Sequence, residues 1–99
     1  MSNRTPAPGP AHARTTVMIA NARGLHARAA ARFVDLARRF DAKIVVARDG
    51  VEVSGLSIMG LMVFAAAKGT RIEIRASGRE CEAAVNALAA LVEAGFHER

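Results

Sequence analysis

The stretch Gly24-Leu25-His26-Ala27-Arg28-Ala29-Ala30 sets a histidine at the head of an apolar pattern with helical period, with an arginine two residues on. A helix that begins near Ala27 leaves its first backbone N–H groups without partners and carries partial positive charge at that end. An anion is favoured there. The same field disfavours imidazolium, by about 0.3–1 kcal/mol at exposed sites, and so keeps a ring nitrogen lone pair free for nucleophilic attack. Arg28 adds a planar, permanently charged fork that matches phosphate oxygens. Free amides, guanidinium and neutral imidazole together describe a site that can take a phosphoryl group covalently and stabilise its charge. The spacing alone also describes a surface histidine closing a loop, because a single His-x-Arg is common.

The elements needed to hold such a site can be read from periodicity. Residues 15–20 alternate, with Thr15, Val17 and Ile19 on one face of a first strand. From Ala27 to Phe40 the residues Ala30, Phe33, Val34, Ala37 and Phe40 form an apolar stripe, while Arg28, Arg32, Asp35, Arg38 and Arg39 point outward. Residues 42–48 and 51–54 are rich in β-branched side chains and are joined by Asp49-Gly50, a pair suited to a two-residue hairpin turn. A short second helix follows, with Ser57 as a candidate cap and Gly69 able to close it. Residues 71–76 alternate again, which makes one face of the sheet wet. Ser77 and Glu80 have capping-box spacing ahead of a last helix whose stripe is Cys81, Ala84, Val85, Leu88, Leu91 and Val92.

The order βαββαβα predicts an α+β fold, an open-faced β-sandwich with a four-stranded antiparallel sheet and three helices on one face. At 99 residues and 52% apolar content the chain suits one core. Pro6, Pro8, Gly9 and Pro10 mark residues 1–14 as a flexible tail, so the domain is expected over residues 15–99. His12 and His97 fall in the expected loose ends and receive no role.

Composition excludes several classes. The single cysteine, Cys81, precludes an internal disulfide, no Cys/His cluster offers a metal site, and nothing calls for a cofactor. No apolar run approaches the ~18 residues of a membrane span, so no membrane insertion is expected and a reducing cytoplasm fits best. Net charge is +5, with the bases concentrated between Arg23 and Arg48, where only Asp35 and Asp41 oppose them. Such asymmetry suits acidic protein partners or an anion. Nucleic acid is disfavoured, because Trp and Tyr are absent and the four Phe lie outside the strands. A phosphatase would need a general base near the site, and no acid precedes Asp35.

Gly24–Ala30, followed thirty residues later by Ser57-Ile58-Met59-Gly60-Leu61-Met62, resembles the HPr family, the histidine-containing phosphocarriers of the bacterial phosphoenolpyruvate-dependent phosphotransferase system, from about Thr15 to Gly95. The resemblance implies a relay protein, not an enzyme in the strict sense. His26 would receive phosphate from enzyme I on Nδ1 and pass it to an enzyme IIA, and Arg28 would stabilise the phosphate. Ser57 would match a regulatory serine phosphorylated in some bacteria by HPr kinase/phosphorylase. Ile58, Met59 and Met62 would match a partly exposed docking patch, although plain core packing also accounts for them. A regulatory carrier of a nitrogen-related branch is the alternative to one serving sugar transport, and a monomer is expected. Two positions depart from the family pattern: Ala29 replaces a proline after the active-site arginine, and Leu56 replaces a lysine before the serine.

Overall fold

The computed structural model describes residues 11–64 and 67–98. Four strands, β1 (His12–Met18), β2 (Lys43–Arg48), β3 (Val51–Ser54) and β4 (Arg71–Ser77), form one sheet in the order β1-β4-β2-β3, every neighbouring pair antiparallel. Helices α1 (Ala27–Ala37), α2 (Ile58–Val63) and α3 (Cys81–Glu93) are followed by a single 3₁₀ turn, Gly95–His97. This is the open-faced sandwich expected from the alternation. The inward residues Val17, Ile19, Ile44, Val46, Ile72, Ile74 and Ala76 share a core with Phe33, Val34, Leu61, Leu88 and Val92 of the helical layer.

Local sequence accounts for most of the elements. Asp49 and Gly50 both take positive φ, 52° and 81°, as a two-residue turn with right-handed strand twist requires. β4 buries Ile72, Ile74 and Ala76 and turns Arg71 to solvent. α3 buries all six residues of its predicted stripe. It packs on β1 and β4, while α1 packs on α2 and α3.

Four boundaries differ from expectation. β1 begins at His12, three residues before Thr15, because the backbone row of β4 continues to Ser77 and pairs His12, Ala13 and Arg14 with Ser77, Ala76 and Arg75. His12 is therefore in the sheet, and the predicted tail is too long at its end; residues 1–10 lie outside the described residues. α1 stops at Ala37 and tightens into i→i+3 bonds, Arg39 N–H to Leu36 C=O and Phe40 N–H to Ala37 C=O, at 3.1 and 3.3 Å. α2 ends at Val63, and Gly69, at φ 88°, donates instead to the Ile19 carbonyl at 2.8 Å. The Ser77–Glu80 capping box does not form. Ser77 is committed to the β4 ladder, Glu80 is itself the cap residue of α3, and its carboxylate accepts from the Asp41 N–H at 2.7 Å.

The largest surprise is at the C-terminus. Phe96 is fully buried and His97 stands in an ordered turn, both at left-handed φ, 57° and 59°. Residues 95–98 thus fold back onto the body instead of trailing away.

Candidate functional site

His26 sits between two anchors. Leu25 before it and Ala29 and Ala30 after it are buried, so the loop is pinned to the core on both sides of the histidine. Asn21 shapes the entry: its carbonyl accepts from the Gly24 N–H at 3.2 Å and its amide Nδ2 donates to the Gly24 carbonyl at 2.9 Å, around a Gly24 φ of 64° that favours glycine. His26 then takes extended backbone angles as the cap residue of α1, and its carbonyl accepts the first helical bond, from Ala30 N–H at 2.9 Å.

The His26 side chain makes no capping bond and the first turn of α1 holds no acid. The leading amides of α1 are therefore left for another acceptor. Arg28 is exposed in that first turn. Arg23, Arg28, Arg32, His97 and Glu98 line a shallow depression beside it, a cationic rim with a single carboxylate.

That carboxylate is the feature the sequence did not reveal. Glu98 Oε2 is hydrogen-bonded to His26 Nε2, and Oε1 accepts from Asn21 Nδ2 at 2.9 Å. The ring is consequently more covered than an exposed loop histidine, with 16% of its side-chain surface accessible. The Asn21 bond is the largest influence on Glu98 and holds its carboxyl below the ordinary value; partial burial opposes, and the bond to His26 and the nearby Arg28 guanidinium add to the lowering. Arg32 completes the arrangement by donating from Nη1 to the Phe96 carbonyl. The one sequence signal that the chain returns here is an aromatic side chain, Phe96, directly after Gly95.

At the second motif, Ser57 caps α2, its Oγ accepting from the Gly60 N–H at 2.9 Å. A Cβ at Gly60 would stand 3.0 Å from that oxygen, so glycine keeps the cap tight. Leu61 is the buried residue of α2, whereas Ile58, Met59 and Met62 are exposed, Met59 at 75%. Core packing therefore does not account for these three. Leu56 and Val63 are exposed apolar residues beside them, and Val63 lies outside the motif that marks the other three. Because α1 packs on α2, the patch and the helix headed by His26 belong to one layer.

The family model for the phosphorylation site of the PTS HPr component matches residues 13–94. The phosphocarrier protein HPr of Treponema pallidum is 42% identical over 83 residues, covering 84% of this chain and 94% of that protein. The phosphocarrier protein NPr of Escherichia coli is 38% identical over 86 residues, 86% of this chain and 96% of the relative. Among solved structures, the HPr-C-His protein of Thermoanaerobacter tengcongensis superposes with a TM-score of 0.83 at 39% identity, covering 88% of this chain and 98% of that one.

Proposed function

The chain belongs to the HPr family of phosphotransferase-system phosphocarriers, and from that premise we propose that His26 is its phosphoacceptor, charged by phospho-enzyme I and discharged to an enzyme IIA. The observation that supports this most is the placement of His26 as cap residue of α1, next to Arg28 and beside amides that no side chain occupies among the described residues. A phosphoryl group on the ring gains from the amides, the helix field and the guanidinium at once. The protein is a carrier used stoichiometrically and regenerated, not a catalyst.

The exposed patch of Leu56, Ile58, Met59, Met62 and Val63 suits successive partners, since flexible methionines adapt to different surfaces. Ser57 is the regulatory position in this reading. A phosphate on Ser57 Oγ would gain from the α2 amides and set negative charge at the head of the patch, weakening docking. HPr kinase/phosphorylase is the corresponding partner, and the cytoplasm the corresponding compartment. Among the described residues no helix is long and apolar enough to cross a membrane. Relatives named HPr and NPr match at similar identity, 42% and 38%, which keeps a regulatory carrier of a nitrogen-related branch as the second reading. Partner sets captured by the phosphorylated and unphosphorylated chain separate the two.

The test is direct. Enzyme I and phosphoenolpyruvate should place an acid-labile phosphate on the wild-type chain and none on His26→Ala, and Arg28→Ala should charge about tenfold more slowly. An unlabelled wild type, or equal labelling of His26→Ala, overturns the assignment.

A further inference from the structure

We propose that Arg48 is a positioning residue for the apolar docking patch, its guanidinium fixing the last turn of α2 through the Phe64 carbonyl so that Met62 and Val63 keep their places beside Ile58 and Met59. That the patch docks partners rests on the phosphocarrier reading; that Arg48 fixes the turn does not.

Little within α2 holds it in place. Its six residues are far fewer than the ~12–15 at which a helix begins to stand alone in water. Leu61 is its one buried residue, whereas Ile58, Met59, Met62 and Val63 are exposed. At a spacing of four, Ile58 lies beside Met62 and Met59 beside Val63 on the helix surface. These pairs persist only while the last turn stays wound, so a helix this short must be held from its ends.

The two ends are tied differently. At the first, Ser57 Oγ accepts from the Gly60 N–H at 2.9 Å, the Ser57 N–H donates to the Ser54 carbonyl at 3.1 Å, and the Gly55 N–H donates to the Ile44 carbonyl at 2.8 Å. At the other end the helix leaves carbonyls with no helical N–H to meet them. Phe64 is the cap residue there, and its N–H donates to the Gly60 carbonyl at 3.2 Å. Its own carbonyl accepts from Arg48 Nη1 at 3.0 Å, and among the described residues Arg48 is the only donor to it. The buried Phe64 ring fixes where the residue sits; the guanidinium fixes how its peptide is turned.

Arg48 reaches this carbonyl from a rigid base. It is the last residue of β2 and pairs with Val51 across the hairpin turn of Asp49 and Gly50. The Asp49 carboxylate lies 3.5 Å from Arg48 Nε, but the Asp49 side chain is 86% exposed, too open to water for that pair to set the geometry. A guanidinium is always charged, and the helix field favours a cation at this end. The hairpin thus braces α2 from the sheet. A partner that meets an already wound α2 has less freedom to remove on docking, while the chemistry at His26 does not depend on the brace.

The experiment uses the full chain as wild type, Arg48→Met, Arg48→Lys and Asp49→Asn, compared by amide hydrogen exchange and by charging from phospho-enzyme I. Arg48→Met keeps an apolar stem and removes the donor. Its Met62, Val63 and Phe64 amides should exchange about tenfold faster while β4 and α3 keep wild-type rates, and KM for phospho-enzyme I should rise about fivefold with kcat changed by less than about twofold. Arg48→Lys should recover part of both effects, and Asp49→Asn should match the wild type. Unchanged α2 exchange or unchanged KM in Arg48→Met overturns the proposal. So does faster exchange throughout the molecule, which marks a general loss of stability, or an Asp49→Asn variant that reproduces Arg48→Met, which marks the ion pair as the brace. Met59→Ser judges the docking reading by itself: it should raise KM with α2 exchange unchanged. An unchanged KM in Met59→Ser overturns that reading and leaves the exchange result for Arg48 standing.

Discussion

Replacing Phe96 by alanine tests whether the C-terminal turn is part of the folded body. The ring is fully buried in a chain whose preceding helix ends at Glu93. Truncation of a buried phenylalanine costs about 3–5 kcal/mol when the cavity cannot collapse. The lower figure applies here, because a terminal turn can peel away and cap the loss at its own docking energy. The left-handed φ of 57° costs any residue with a Cβ about 1–2 kcal/mol, so it cancels between phenylalanine and alanine. Glycine escapes that cost. Phe96→Ala should therefore lower stability by about 3 kcal/mol, roughly 12–24 °C in Tm for a domain this size, with Phe96→Gly about 1 kcal/mol less affected. Urea and thermal unfolding measure both variants. A loss under about 1 kcal/mol for Phe96→Ala, or a glycine variant weaker than the alanine one, refutes the reasoning.

Two further outcomes follow from the coordinates. At Gly55 an added Cβ would stand 2.5 Å from Ile44 Cγ2, a buried branch of the central layer, so Gly55→Ala should cost about 1–3 kcal/mol through overpacking, read as a lower urea midpoint with unchanged m-value. Because the Glu98 carboxyl is lowered in the fold, its contribution is complete above the ordinary value of 4.5 and is lost as pH falls from there through the lowered folded value. Unfolding midpoints between pH 5 and 3 should thus fall more steeply for wild type than for Glu98→Gln.

What was legible in the sequence was whatever repeats locally. Ile72, Ile74 and Ala76 declare a half-buried strand by alternation, Asp49-Gly50 declares its turn by backbone demand, and the α3 stripe declares its buried face by period. His26 and Arg28 were legible as a pair because they share one turn of helix. What failed was whatever depends on a distant partner. His12–Arg14 joins the sheet only because residues 75–77 are there to pair with it. Ser77 has the right spacing for a cap, but the ladder claims it first. Glu98 meets His26 across 72 residues of chain, and no periodicity encodes such a contact.

The strand order also governs how the molecule comes into being. The β2–β3 hairpin closes between neighbours as soon as residues 43–54 exist, but the partner of β1 is made only with residues 71–77. During synthesis the amphipathic first strand and the His26 loop behind it wait, unsheltered, while most of the chain is still to be translated. A ribosome that stops short of β4 therefore releases a peptide vulnerable to proteases rather than a half-working carrier, which makes competence for the relay a property gained late in synthesis.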